Sequence, residues 1–375
     1  MVIMALDHAR DFFHHGAFTY NATDMGTTTP VLFFTRWITH FCAPTFVLLA
    51  GTSIYISAQR KSKKDLSIFL LTRGLWLILL EIVVIRFSFF FNFYYDVTIL
   101  QVIWVIGASM VVMSALIHFS DWVVLVLGLI IVFGHNLTDM IQLKPEDTFY
   151  PVWTILRQTG FINLSADKGL LVFYPLLPWL GIMLLGYPLG KLYTSSFSHE
   201  KRTRLLIMLG VSSIALFIVL RLINAYGDPA PWSVQKNGLF TLMSFINTTK
   251  YPVSLLYTLM TIGPVLIILA MMEKVNVSSL KPFVVFGRVP MFYYIFHFYL
   301  LHLVSLLFFM NKTGKSFSDL DLHFRSSFGG ITPEGGYSLL WAYVAWMSVV
   351  IFLYPFCKWY NNYKSTHRHW WLSYL

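Results

Sequence analysis

Cysteine is nearly absent. The 375-residue chain has two, Cys42 and Cys357, far apart and each inside an apolar run. That excludes a disulfide framework and any cysteine-based metal spacing. Charge is scarce too: Asp, Glu, Lys and Arg make up 12% of residues, about half the share found in a soluble domain. A hydrated globular enzyme is thereby excluded. The first apolar run lacks both a basic n-region and a small-residue cleavage site, so no cleavable signal peptide is visible. No internal repeat, low-complexity tract or soluble domain interrupts the chain.

What is abundant is apolar surface. Hydrophobic residues make up 57% of the chain, and the mean hydropathy is +0.66. This is the composition of an integral membrane protein. A spanning helix needs about 20 mainly apolar residues. Ten segments qualify, near 1–17, 31–58, 66–94, 98–118, 121–139, 169–193, 204–225, 251–273, 283–310 and 337–358. Pro175, Pro178, Pro188, Pro264 and Pro290 fall inside them, as membrane helices allow when neighbours satisfy the freed carbonyls.

Basic residues mark one set of loops: Arg60, Lys61, Lys63 and Lys64, then Lys191, Lys201, Arg202 and Arg204, then Lys274, Lys281, Arg288, Lys358, Lys364 and Arg368. The opposite loops are longer and acidic, with Asp24, Asp96, Asp139, Glu146, Asp147, Asp167, Asp228, Asp319, Asp321 and Glu334. The positive-inside rule makes the basic side cytoplasmic, with both termini there. The formal charge of +10 is then a matter of topology, and nucleic acid is excluded as a partner. The predicted fold is all-α: a polytopic integral membrane helical bundle of about ten transmembrane helices, forming a single domain over 1–375. The first helix looks cut short, because 17 residues reach only ~25 Å along a helix axis against ~30 Å of hydrocarbon. Either several upstream residues are missing, which is the favoured expectation, or helix 1 is half-length.

Ionisable residues inside a membrane are costly and mark function or buried pairs. Helix 1 carries Asp7, His8, Arg10, Asp11, His14 and His15 within nine positions. Their i+3 and i+4 spacing puts Asp7, Arg10 or Asp11, and His14 or His15 on one face, and likewise His8, Asp11 and His15. An Asp beside a His can fix its tautomer, as a general base requires. The competing reading is a structural salt-bridge knot. On helix 2, Arg36 and His40 are four apart, with Pro44 four further on. His40 reads either as a group facing helix 1 or as a satisfied core histidine.

Helix 3 holds Arg73, Gly74 and Glu81. Arg73 could meet an anion arriving from the cytoplasm, with Gly74 giving close backbone approach, or could pair with Glu81. Arg86, near the outer end, reads as a snorkelling residue. Gln101 and Trp104 open helix 4 and could line an outer vestibule. Gly287 and Arg288 stand at the cytoplasmic end of helix 9, a plausible phosphate contact at a helix start. Tyr294 and His297 lie deeper on that helix, His297 near the midplane. Trp37, Trp104, Trp179 and Trp232 could form a stacking surface for a sugar. No metal site is expected.

Three function classes suit polar groups on both sides of one bundle. One is an acyltransferase that takes an activated acyl group from the cytoplasm and delivers it outside. Another is a secondary transporter for a small sugar or anionic solute, with a midplane site between broken helices. The third is a haem-binding electron carrier using His8, His40, His297 or His302 as axial ligands. The charge around the opening histidines suits proton chemistry better than ligation.

The stretches "MVIMALDHARDFF", "RWITHFCAPTFVLLAGTS", "LLTRGLWLILLE", "QVIWVIG", "YPLLPWLGIMLLGYPLG" and "FGRVPMFYYIFHFYLLH" resemble a bacterial family. That family is similar to the catalytic membrane domain of lysosomal heparan-alpha-glucosaminide N-acetyltransferase. Its members begin with an acidic-then-"LRG" stretch before the "MVIMALDH" segment, which this chain lacks. The resemblance implies acetyl transfer from cytosolic acetyl-CoA to an amine or hydroxyl, on a sugar or glycan, in a bacterial inner membrane. In the lysosomal enzyme an asparagine late in helix 1 and a histidine shortly after it act in transfer. Their places fall near His8 and near His14 or His15, and an aspartate of that enzyme falls at His40. On that basis the expected catalytic set is His8, His14, His15 and His40, oriented by Asp7 and Asp11. Arg10, Arg36, Gln101 and Trp104 are expected at the substrate and oxyanion, and Arg73, Gly74, Arg288, Tyr294 and His297 at acetyl-CoA. The partners implied are acetyl-CoA, the glycan acceptor, the lipid bilayer and, as an open alternative, a second copy in a homodimer.

Overall fold

A computed structural model of the chain describes residues 1–324, 326–367, 369 and 372. Arg368, counted above among the cytoplasmic basic residues, lies outside the described residues. In chain order the α-helices are α1 (Val2–Phe13), α2 (Pro30–Thr39), α3 (Cys42–Ala58), α4 (Lys63–Leu80), α5 (Arg86–Phe90), α6 (Val102–Leu116), α7 (Asp121–Gly134) and α8 (Tyr150–Leu156). They continue as α9 (Leu176–Leu189), α10 (His199–Ile223), α11 (Gly238–Ile246), α12 (Leu255–Met272), α13 (Lys281–Arg288), α14 (Pro290–Thr313) and α15 (Leu339–Thr366). Three short strands, β1 (Val97–Leu100), β2 (Gly160–Asn163) and β3 (Gly169–Val172), form a sheet in the order β1-β3-β2.

Local chemistry explains most boundaries. Thr29, Ser62, Ser120, Ser198, Asn237 and Ser254 each accept a backbone N–H at a helix start, which satisfies one of the amides a helix leaves unpaired there. Among the described residues, seven helical segments are long and apolar enough to cross a membrane: Pro30–Ala58, Lys63–Phe90, Asp121–Thr138, His199–Ile223, Leu255–Met272, Pro290–Thr313 and Leu339–Thr366. The protein is an integral membrane protein, mostly helical. α6 is apolar but shorter, at 15 residues, and α1 and α9 have 12 and 14.

Several expected helices are interrupted. The run 31–58 breaks between α2 and α3 because Pro44 has no N–H to give the His40 carbonyl, and the His40 amide turns back to Trp37 O at 3.0 Å. The run 283–310 splits into α13 and α14 at Val289 (φ −127°, ψ 52°), since a residue before proline is pushed out of the helical region. The runs 98–118 and 169–193 both open as strand rather than helix. The amides of Phe173 and Tyr174 donate to Leu100 O at 3.2 and 3.3 Å. Between α4 and α5 the helix loosens into one wide turn, Glu81–Ile85.

The chain divides into two compact units. The first comprises Met1–Cys42, Val83–Val97 and Asn276–Leu375, and the second Ala43–Ile82 and Thr98–Val275. In the first, α15 is tied to α1 and α2: Trp346 Nε1 donates to Val2 O at 2.8 Å, and Thr35 and Tyr343 share a hydroxyl contact at 2.6 Å. Arg86 does not snorkel. It is 2% exposed and donates to Val97 O at 3.2 Å, to Asn92 O, and to the Asp96 carboxylate at 3.0 Å. Asp96 in turn accepts the amide of Phe324 at 2.8 Å. A guanidinium this deep must be paired, and it fastens the loop that follows α14.

In the second unit the helices touch through bare backbone. A Cβ added at Gly74 would lie 2.5 Å from Gly107 O, and one at Gly107 would lie 2.7 Å from Gly74 O. Only hydrogen at both positions lets α4 and α6 approach this closely. Close approach at Gly74 therefore serves the contact with α6.

Candidate functional site

The opening cluster of the first unit is assembled on α1. Arg10 donates to Asp7 at 3.4 Å and to Asp11 at 2.5 Å, and Arg36 of α2 pairs with the other oxygen of Asp7. Asp7 and Arg10 are 8% and 7% exposed. Asp7 thus carries two guanidinium partners and anchors α2 to α1. Asp11 has a second neighbour, His8, whose Nδ1 lies 3.9 Å from its carboxylate. The i,i+3 relation read from the sequence holds for this pair.

Beyond Phe13 that relation stops applying. α1 ends there, and His14 takes an extended conformation (φ −81°, ψ 125°), so His14 and His15 leave the helical face that Asp7 and Asp11 share. The expectation of one face running from Asp7 to His15 is corrected by this helix end. Instead the two histidines join a chain crossing. Tyr337 N donates to Phe13 O at 2.7 Å, and His15 N donates to Tyr337 O at 2.9 Å, with His15 Nδ1 at 3.0 Å from the same oxygen. The rings of His14 and His15 lie 4.5 Å apart. His14 is buried with Nδ1 unbonded, and His15 is exposed. His40 is buried where α2 and α3 break.

α14 supplies what α1 lacks. The His297 ring lies 5.3 Å from that of His8, and Phe298 lies 4.0 Å from it. His297 is fully buried, stacked on Tyr293 at 5.2 Å and edge-on to Tyr294 at 5.6 Å. Its Nδ1 lies 2.9 Å from Tyr293 O. A carbonyl only accepts, so Nδ1 carries the proton and Nε2 holds the lone pair. That Nε2 is buried with no hydrogen-bond partner. His297, expected beside acetyl-CoA, stands next to His8, and Tyr294, expected there too, packs edge-on against His297.

His302, one of the conceivable haem ligands, has both ring nitrogens against carbonyls, at 2.8 Å from Ser88 O and 2.7 Å from Gly329 O. It has no nitrogen to offer a metal. Among the described residues no group of three or more His, Cys, Asp or Glu could hold a metal ion.

Arg288 sits at the end of α13, exposed, two residues before α14 starts. The expectation of a helix start at Gly287–Arg288 is therefore corrected: the pair closes one helix, where a cation suits the negative end of the dipole.

The remaining predicted residues belong to the second unit. Arg73 is half-buried on α4 and Gly74 is packed on Gly107. Gln101 occupies the cap position of α6, and Trp104 N donates to Glu81 at 3.0 Å. Glu81, 1% exposed, spends its carboxylate on the amide end of α6, where the helix dipole favours negative charge. Two neighbours of the cluster, Tyr293 and Tyr337, escaped the sequence reading. Nothing local marks them, since their partners are distant in sequence or are backbone atoms.

Residues 2–222 match the family model described as heparan-alpha-glucosaminide N-acetyltransferase, catalytic. The match takes in α1 to α10 up to Leu222 and ends before α14. The chain matches no curated protein.

Proposed function

The chain belongs to the heparan-alpha-glucosaminide N-acetyltransferase catalytic family, and from that premise we propose that it moves an acetyl group from cytosolic acetyl-CoA to an amine or hydroxyl of a sugar or glycan outside a bacterial inner membrane. The reading keeps one membrane domain over 1–375, with α1, α6 and α9 completing ten spans and both termini cytoplasmic.

One observation carries the proposal: a buried imidazole, His297, with its proton on Nδ1 and an unbonded lone pair on Nε2, beside His8 and its Asp11. Such a nitrogen has a lone pair open to the acceptor's proton. The acceptor gives its proton to the His8–His297 pair as its nitrogen or oxygen attacks the thioester carbon. The tetrahedral oxyanion forms, the carbon–sulfur bond breaks, and the coenzyme A thiolate leaves and takes up the proton. His40 and Arg36 are the oxyanion donors, Arg36 while holding Asp7. Arg288 meets the coenzyme phosphates. His14 and His15 line the acceptor side.

The test is acetyl transfer by purified protein in micelles. His297→Gln and His8→Ala should each lower kcat by about 10²-fold or more, with melting temperatures near wild type. Full activity in both variants would overturn the assignment.

A further inference from the structure

The second unit holds a lysine that nothing pairs. Lys250 lies between α11 and α12, on the side predicted to be extracytoplasmic, and is 8% exposed. Lysine is almost never this buried without a partner. Among the described residues, however, no carboxylate, hydroxyl or carbonyl accepts a hydrogen bond from its ammonium. What surrounds it is aromatic. Nζ lies 5.0 Å from the centre of the Tyr251 ring and 5.8 Å from that of Tyr174. Those two rings are 5.6 Å apart and nearly perpendicular, and Tyr174 stacks on Trp179 at 4.8 Å. Trp179 is fully buried, and its Nε1–H has no acceptor.

Ring faces attract the cation but leave its three N–H donors unspent. A cation whose stem is buried, whose donors are unused and whose walls are aromatic is the complement of an anion carried on a ring. We propose that Lys250, Tyr174, Tyr251 and Trp179 form a subsite for a sugar bearing an anionic substituent, a carboxylate or a phosphate ester. The sugar ring packs on the tyrosines, and its anion takes the ammonium's hydrogen bonds. That this sugar is the acetyl acceptor rests on the proposed function; the binding does not.

Calorimetry on the full chain in lipid nanodiscs tests it, with glucose 6-phosphate, glucuronate, glucose and inorganic phosphate as probes. At least one anionic sugar should bind about tenfold or more tighter than glucose and than inorganic phosphate, the scale of a charged hydrogen bond. Whichever anionic sugar binds identifies the substituent. Lys250→Gln should abolish that preference and Lys250→Arg should keep most of it. On the wild type alone, raising salt from about 0.05 to 0.5 M should weaken the anionic sugar several-fold and leave glucose unchanged. Equal binding of glucose and both anionic sugars, inorganic phosphate binding as tightly as the sugar phosphate, binding indifferent to salt, or an unchanged preference in Lys250→Gln would each overturn the subsite. Lys250-dependent binding by a wild type that acetylates no acceptor would instead sink the transfer reading and leave the subsite standing.

Discussion

At the scale of single residues, what matters is where each buried charge finds its partner. Asp7 is shared by Arg10 and Arg36, which makes it a brace between α1 and α2 and leaves Asp11 as the carboxylate facing His8. Arg86 is held by Asp96 and two carbonyls. Removing its side chain leaves Asp96 buried without its ion pair, so Arg86→Ala should cost about 3–5 kcal/mol of stability, read by equilibrium unfolding in mixed micelles. A change under about 1 kcal/mol would show that the pair contributes no more than a surface bridge. The His8–Asp11 relation could be read from spacing alone, because both residues sit within one helix. The His8–His297 relation could not. Its members are far apart in sequence, and a lone apolar-flanked histidine carries no sign of which helix it will meet.

At the scale of elements, the sequence marks the long apolar segments well, because length and composition are what a membrane selects. It marks their ends poorly. Residues 98–100 and 169–172 are apolar enough to pass for the start of a spanning helix, and only pairing with another strand makes them a sheet. Pro44 and Pro290 stand where helices break, through a missing amide and a crowded preceding residue, yet the sequence reading takes both inside unbroken spans. Glycine needed the structure. Gly74 and Gly287 look alike in sequence, each beside an arginine. Gly74 faces the backbone of Gly107, whereas a Cβ at Gly287 meets nothing within 4 Å. Gly74→Leu should therefore force α4 from α6 and cost at least about 1–3 kcal/mol. Gly287→Ala should stay within about 0.5 kcal/mol of wild type. Melting curves of the two variants check this, and equal melting temperatures would refute the α4–α6 contact.

At the scale of the whole molecule, a seven-helix minimum of spanning segments fixes a membrane protein whose remaining charges hold loop to helix. Glu273, just past α12, accepts two hydrogen bonds from Arg202, at 2.8 Å from Nε and at closer range from NH2. Those bonds hold its carboxyl below the ordinary 4.5. The folded chain thus binds fewer protons at this site than the unfolded chain. Its stabilisation is complete above about pH 4.5 and fades as pH falls through the lowered value. Glu273→Gln should melt below wild type at neutral pH, and the gap should narrow as pH falls below about 4.5. A gap unchanged by acid would assign the effect to packing instead.

The central claim is transfer across the membrane at an imidazole pair, and sealed inside-out vesicles test it most directly. Acetyl-CoA labelled in its acetyl group is added outside, on the cytoplasmic face, with an amino-sugar acceptor enclosed within. Wild-type vesicles should accumulate labelled acceptor in the lumen, and His297→Gln vesicles should not. Label appearing only on acceptor supplied outside, or equal lumenal label in both, would contradict the account.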